Sequence, residues 1–64
     1  MSDFKERLKQ EFSELYEKKK KLDSFLINNT INNIDENQKH LLVIQAHAMQ
    51  TYLQCLDSRL QLLK

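Results

Sequence analysis

The sequence of 64 residues contains no glycine, no proline and no tryptophan, and it has one cysteine. Without glycine, the chain cannot form the glycine-rich loops that cradle phosphates in many nucleotide-binding enzymes. Because neither glycine nor proline is available for tight turns, helix is the backbone conformation that the composition favours. The single cysteine, Cys55, excludes a disulfide within the chain and favours a reducing, intracellular setting.

The chain also lacks an excess of charge and long apolar runs. Ten basic and nine acidic residues give a net charge of +1, and no apolar run is longer than four residues. We therefore expect no transmembrane segment and no signal peptide. The near-zero net charge favours neither duplex nucleic acid nor a membrane as a partner. An amphipathic membrane helix is further disfavoured because lysines do not flank the apolar row of the second half.

Apolar residues in the first half of the chain recur every three or four positions from Phe4 to Leu26. This spacing predicts a helix over about residues 3–27. The asparagine-rich stretch INNTINNI comes next, and its asparagines and β-branched residues disfavour helix and tolerate turns. It predicts a connector over about residues 28–35.

Asp35, followed three residues later by Gln38, resembles a capping box at the start of a second helix. We predict that this helix covers about residues 36–63. A connector of this length allows the helices to fold back on each other as an antiparallel hairpin. The predicted fold is all-α, with residues 1–64 forming a single helical-hairpin domain.

The second predicted helix carries two neighbouring rows of side chains. The first row, the inner seam, alternates steps of four and three in the manner of knobs-into-holes packing and is predicted to face the first helix. Its members are Leu42, Ala46, Met49, Leu53, Leu56, Leu60 and Leu63. The second row, the outer stripe, mixes apolar and polar groups: Leu41, Ile44, Gln45, Ala48, Tyr52, Cys55 and Arg59. The remaining face is predicted to be solvated: His47, Gln50, Gln54, Asp57 and Gln61.

One partner helix cannot cover both rows, so the outer stripe predicts a contact outside the chain. The expected contact is with copies of itself, which makes the hairpin part of a homo-oligomeric helical bundle. The residues predicted to form this interface are Leu41, Ile44, Ala48, Tyr52 and Cys55. The alternative is that the stripe docks on a different protein.

The histidines and the cysteine are not spaced as a metal site or a catalytic site requires. His40 and His47 lie seven residues apart, roughly 10 Å along a helix, which is too far to ligate one metal ion. Cys55 lies eight residues beyond His47 with no base beside it, and we expect it to be a small, buried apolar group. We therefore expect no enzymatic activity, no metal site and no cofactor.

The stretch YEKKKKL, residues 16–22, contains four consecutive lysines. Lys18 follows Glu14 and Lys21 follows Glu17 by four residues, so both are predicted to form ion pairs within the helix. These pairs would leave too little free positive charge for a nucleic-acid backbone site.

Lys19 and Lys20 have Leu15 and Tyr16, in place of a carboxylate, four residues before them, and Tyr16 lies within about a turn of both. An aromatic ring stacks on a nucleobase while an adjacent ammonium meets a phosphate, so these three residues predict a site for a small anionic nucleotide. The alternatives are that the Lys19 stem simply extends outward to solvent and that the tyrosine fills an interface. A second candidate set, spaced by seven along the outer stripe, is Gln45, Tyr52 and Arg59.

The segments FKERLKQEFSELYEKKKKLDSFL and IDENQKHLLVIQAHAMQTYLQCLDSRL resemble small helical-hairpin proteins of bacteriophages, including a family of crAss-like phages. The second segment is also similar in layout to the hairpin of phage anti-CBASS and anti-Thoeris sponges. That resemblance implies an oligomer that sequesters cyclic nucleotide signals. It makes Tyr16 with Lys19 or Lys20 the counterpart of an aromatic and lysine pair, and Arg59 the counterpart of a terminal arginine. Tyr52 replaces the usual tryptophan.

The function predicted from the residues and the resemblance together is that of a phage-encoded, non-enzymatic anti-defence protein. It would bind a cyclic di- or trinucleotide in the cytoplasm of an infected bacterial host. The alternative is a small phage interaction protein whose apolar face binds a host or phage protein, such as a defence nuclease or a replication or transcription factor.

Overall fold

A computed structural model of the chain describes residues 2–28 and 33–63, and of Ser2 it describes the backbone alone. Helix α1 spans Ser2–Ile27 and helix α2 spans Glu36–Gln61. The two helices pack along each other as a hairpin with extents of 47 × 15 × 13 Å. The all-α hairpin predicted from the sequence is confirmed. Part of the predicted connector, residues 29–32, lies outside the described residues.

Helix α2 begins with the predicted aspartate cap. The side chain of Asp35 accepts a hydrogen bond of 3.0 Å from the backbone N–H of Asn37, which satisfies one of the unpaired donors of the first turn. Within residues 33–63 the Gln38 side chain makes no hydrogen bond back to Asp35, so the reciprocal half of the capping box is absent. At the other end, the Leu63 N–H donates to the Leu60 carbonyl at 3.1 Å, which tightens the chain into a turn after α2.

The core of the hairpin is small and follows the inner seam. Leu56 is fully buried, with 0% of its surface exposed, and Leu53, one turn before it, is buried as well. Ala46 is buried on the same face, about 15 Å back along α2 from Leu56. Leu8 is the buried residue of α1 within the described ranges. Leu63 is exposed because it lies beyond the end of α2. The prediction that the inner seam faces α1 is therefore confirmed for the part of the seam that lies within the helix.

Two contacts between the helices define their direction and alignment. The Arg59 guanidinium carbon lies 5.9 Å from the centre of the Phe4 ring, and the Tyr52 hydroxyl donates a hydrogen bond to the Glu11 carboxylate. The second contact lies seven residues further along α1 and seven residues back along α2. The helices therefore run antiparallel with matching heptads, the arrangement that knobs-into-holes packing requires.

The bond between Tyr52 and Glu11 is expected to stabilise this alignment measurably. Tyr52→Phe removes the hydroxyl and should lower the free energy of unfolding by about 0.5–1.5 kcal/mol, towards the low end because the pair is exposed to water. Urea denaturation measures the change. The matched control is Tyr16→Phe, because within residues 2–28 and 33–63 the Tyr16 hydroxyl forms no hydrogen bond. Equal stabilities of the two variants would show that the bond contributes nothing.

The outer stripe is not covered by α1. Leu41, Ile44 and Tyr52 are about half exposed, and Ala48 and Cys55 are exposed as well. The expectation that Cys55 is buried is wrong for the hairpin by itself, because its position in the outer stripe turns it away from α1. The accessible surface of 5163 Å² exceeds the value of about 4,300 Å² that is typical of a compact monomer of 7.7 kDa. The hairpin thus exposes more surface than a compact monomer does.

Candidate ligand-binding grooves

A groove between the two helices brings together the three candidate residues of the YEKKKKL stretch. We call it the Tyr16 groove, and its volume is about 130 Å³. It is lined by Tyr16, Lys19, Lys20 and Asp23 of α1 and by Gln50 and Leu53 of α2. An aromatic ring, two ammonium groups, a carboxylate and an amide therefore face one small space.

The Tyr16 ring is positioned by a second aromatic side chain. It stacks on Phe12 with the ring centres 6.3 Å apart and the ring planes 7° from parallel. Phe12, one turn earlier on α1, is half-buried, whereas Tyr16 keeps 50% of its surface exposed. Parallel aromatic rings at this separation are in the range of favourable stacking. The phenol is thus held from one side and remains open to a planar ligand from the other.

Lys19 forms an ion pair within its own helix. Its Nζ atom lies 2.6 Å from Oδ2 of Asp23, and only 18% of the lysine side chain is exposed. The sequence interpretation considered the carboxylates one turn before Lys19 and missed Asp23 one turn after it. The idea that the Lys19 stem extends freely to solvent is therefore wrong for the hairpin.

The ion pairs predicted for Lys18 and Lys21 are not formed. In the described ranges the ion-paired lysines are Lys9, Lys19 and Lys39. Glu14, the expected partner of Lys18, instead accepts a hydrogen bond of 3.0 Å from the Gln10 side chain. The glutamine lies one turn before Glu14 and binds the carboxylate in place of the lysine. Lys18 and Lys21 are exposed and solvated.

The Tyr16 groove carries a net charge of +1 from its lining. Lys19 and Lys20 contribute two positive charges, and Asp23 contributes one negative charge. Because Asp23 pairs with Lys19, Lys20 is the ammonium of the groove that has no carboxylate within ion-pair distance in the described ranges. An anion in the groove can therefore pair with Lys20 directly and has to compete with Asp23 for Lys19.

Gln50 and Asp23 are the groove residues that sequence reasoning missed. Gln50 was assigned to the solvated face of the second helix, and it is exposed, but it also lines the groove. Its position in the sequence could have predicted this, because Gln50 directly follows Met49 and lies three residues before Leu53. Both neighbours belong to the inner seam, so Gln50 lies on the flank of that seam. Its side-chain amide offers donors and acceptors that suit the edge of a nucleobase.

The structure does not bring the second candidate set, Gln45, Tyr52 and Arg59, together in one groove. Arg59 lines a separate groove of about 330 Å³ at the end of the hairpin where α1 begins and α2 ends. We call it the guanidinium groove, and it is lined by Phe4, Arg7, Leu8, Glu11 and Arg59. Tyr52 reaches the edge of this groove through its bond to Glu11, whereas Gln45 lines neither groove. The six candidate residues therefore do not converge on one site within a single hairpin.

Two further observations concern other kinds of site. In the part of the chain that the structure describes, no group of three or more His, Cys, Asp or Glu side chains could hold a metal ion. Neither α1 nor α2 combines the length and apolar character that crossing a membrane demands.

The comparison with known families gives one result. The model of the Sequestin family matches residues 2–62, which include both helices and both grooves. No curated protein and no solved structure matches the chain. Because the match covers nearly the whole length of the hairpin, the chain belongs to the Sequestin family.

Proposed function

We propose that this protein is a phage-encoded, non-enzymatic anti-defence protein that sequesters a cyclic di- or trinucleotide signal in the cytoplasm of the infected bacterium. The family name, Sequestin, agrees with sequestration. The observation that carries the proposal is the Tyr16 groove. It joins a half-exposed aromatic ring, two ammonium groups and the Gln50 amide, which are the groups that hold a base and a phosphate.

The volume of the groove indicates that one hairpin binds only part of the ligand. The Tyr16 groove encloses about 130 Å³, whereas small-molecule sites enclose roughly 300–1,000 Å³. A second copy of the chain that faces the first would add an equal volume and a second tyrosine. The complete site is therefore proposed to form between subunits.

The charge of the Tyr16 groove also supports a site that forms between subunits. Each hairpin supplies a net charge of +1 in the Tyr16 groove. A cyclic dinucleotide carries two phosphate charges and a cyclic trinucleotide carries three. Two or three symmetry-related grooves would neutralise them, with one tyrosine available for each base.

The outer stripe provides the surface for this assembly. Leu41, Ile44 and Tyr52 leave about half of their surfaces in water, and the chain exposes more area than a compact monomer of its mass. A second copy is the proposed occupant, and assembly would bury the stripe, including Cys55. Gln50 of the Tyr16 groove and Tyr52 of the stripe lie about 200° apart around α2, so the ligand is proposed to be held at a further contact between copies, on the face opposite the stripe.

Sequestration of this kind works by mass action. The protein lowers the concentration of the free signal when its own concentration exceeds that of the signal and the dissociation constant is small. No bond in the ligand needs to be broken, so a catalytic group is not required. Both grooves offer groups of the kind that bind a ligand.

A thermal-shift screen combined with a solution mass tests the proposal. A panel of cyclic mono-, di- and trinucleotides is added to the purified protein, and the mass is measured by light scattering at micromolar concentration. We expect an oligomer, and we expect a cyclic di- or trinucleotide to raise the melting temperature. A monomer that no member of the panel stabilises would overturn the proposal and favour an interaction protein whose outer stripe docks on another protein.

Removing the carboxylate from the Tyr16 groove is expected to tighten ligand binding. Asp23→Asn raises the charge of the groove lining from +1 to +2 and frees Lys19 for a phosphate. Because the aspartate is partly exposed and screened by water, the expected gain is modest, about three- to tenfold in affinity. Titration calorimetry with the best ligand of the panel measures it.

The matched control for this substitution is Asp57→Asn, which removes the same charge from an exposed position of α2 that lines neither groove. It should leave the affinity unchanged within about twofold, since exposed charges are strongly screened. A weaker affinity for Asp23→Asn, or an equal gain for both variants, would contradict the proposed role of the groove charge.

A further inference from the structure

The guanidinium groove differs from the Tyr16 groove in size and in completeness. Its volume of about 330 Å³ is within the range of small-molecule sites, and a single hairpin supplies all of it. The two grooves share no lining residue. Whatever binds here therefore does not need the lysines of the YEKKKKL stretch. Arg59 belongs to the outer stripe, so the groove lies at the edge of the proposed assembly surface.

Two arginines face this groove without a carboxylate partner. None of the ion pairs formed within residues 2–28 and 33–63 includes Arg7 or Arg59. The carboxylate that lines the groove, Glu11, accepts its hydrogen bond from Tyr52. The bond from Tyr52 engages one of the two carboxylate oxygens of Glu11 and leaves its charge in place, so the lining of the groove carries a net charge of +1. Two guanidinium groups with planar N–H donors remain for an external anion, and their geometry suits the paired oxygens of a phosphate.

Phe4 adds an aromatic face and positions one of the arginines. The Arg59 guanidinium carbon lies 5.9 Å from the centre of the Phe4 ring, within the distance of a cation–π contact. The ring keeps 51% of its surface exposed, although it belongs to the apolar row of α1. A planar group entering the groove can therefore contact the ring while its anionic end meets the arginines.

We propose that the guanidinium groove is a second ligand site, specific for a small phosphate ester that carries a planar ring, of the size of a nucleoside monophosphate. Arg7 and Arg59 bind the phosphate, Phe4 contacts the ring, and Glu11 excludes ligands with a larger negative charge at its side of the groove. All of these residues come from one chain and none of them lines the Tyr16 groove, so the site does not depend on the proposed cyclic ligand.

Titration of the protein with adenosine 5′-monophosphate, followed by NMR of the backbone amides, tests this site. We expect saturable shifts at Phe4, Arg7 and Arg59. Adenosine, which lacks the phosphate, should bind at least about tenfold more weakly, because the charge-assisted hydrogen bonds are lost. Arg7→Gln and Arg59→Gln should each weaken binding of the monophosphate by about tenfold. Both positions are exposed, so glutamine preserves the helix.

Two controls keep the outcomes distinct. Lys18→Gln removes one positive charge from an exposed, unpaired position of α1 and should leave binding of the monophosphate unchanged. Lys20→Gln alters the Tyr16 groove and should weaken the cyclic ligand alone. Absence of saturation at millimolar monophosphate, or equal weakening by all four variants, would overturn the second site. Neither result bears on the Tyr16 groove, which the experiments with cyclic nucleotides test separately.

Discussion

Replacing Leu56 with alanine is expected to leave most of the protein unfolded at room temperature. Leu56 is the one described side chain with none of its surface exposed, and it lies at the centre of the inner seam against α1. A buried leucine replaced by alanine loses about 2–5 kcal/mol, which includes the cost of the cavity. A domain of this size has a core that rarely supplies more than about 3–5 kcal/mol. One substitution can therefore remove most of the stability.

Thermal melting followed by circular dichroism measures this effect. The matched control is Leu62→Ala, the same chemical change at a leucine that lies just beyond α2 and has most of its surface in water. It should change the free energy of unfolding by less than about 0.5 kcal/mol. If both variants melt at the temperature of the parent protein, the inner seam does not form the core that holds the hairpin together.

The second large effect is expected in ligand binding. Tyr16→Ala removes the half-exposed ring of the Tyr16 groove, and stacking of one base on an aromatic ring contributes about 1–3 kcal/mol. A cyclic ligand held between two copies loses two such contacts, so the expected loss is roughly 2–6 kcal/mol. The lower value corresponds to a dissociation constant roughly 30-fold larger.

Calorimetric titration of three proteins separates the ring from its hydroxyl. Tyr16→Phe keeps the ring and its stacking on Phe12 and should bind the cyclic ligand within about threefold of the parent protein, because in the described ranges the hydroxyl has no hydrogen-bond partner. Tyr16→Ala should lose binding while circular dichroism shows an intact hairpin. Equal affinities of the alanine and phenylalanine variants would exclude base stacking at this position.

The helices and the core could be predicted from the sequence because each depends on spacing within one segment. The steps of four and three along the inner seam identify the face that packs, and the structure buries Ala46, Leu53 and Leu56 on that face. Asp35 as the cap of α2 is similarly local, since an aspartate before a periodic segment can accept from the first turn.

The charge pairing could not be predicted from spacing. Lys18, Lys19 and Lys21 each have a carboxylate four residues away on one side or the other, and sequence spacing does not distinguish these pairs. The structure pairs Lys19 with Asp23 because that lysine lies partly within the groove, where 18% of its side chain is exposed. The competing bond from Gln10 to Glu14 depends on side-chain conformations that spacing does not specify.

The grooves could not be predicted because they depend on the alignment of two helices. Arg7 and Arg59 are 52 positions apart, and nothing in the asparagine-rich connector defines which residues of α2 face those of α1. The same is true of Gln50 beside Tyr16. Once the contact between Glu11 and Tyr52 defines the alignment, both groove linings follow from it.

Native mass spectrometry of the protein mixed with a cyclic dinucleotide tests the central proposal most directly. We expect an oligomer of the 7.7 kDa chain that carries the ligand, and we expect the ligand to be released with unchanged mass when the protein is denatured. Tyr16→Ala should give the same oligomer without the ligand. A monomer without ligand, or release of a hydrolysed nucleotide, would contradict sequestration by an assembled hairpin.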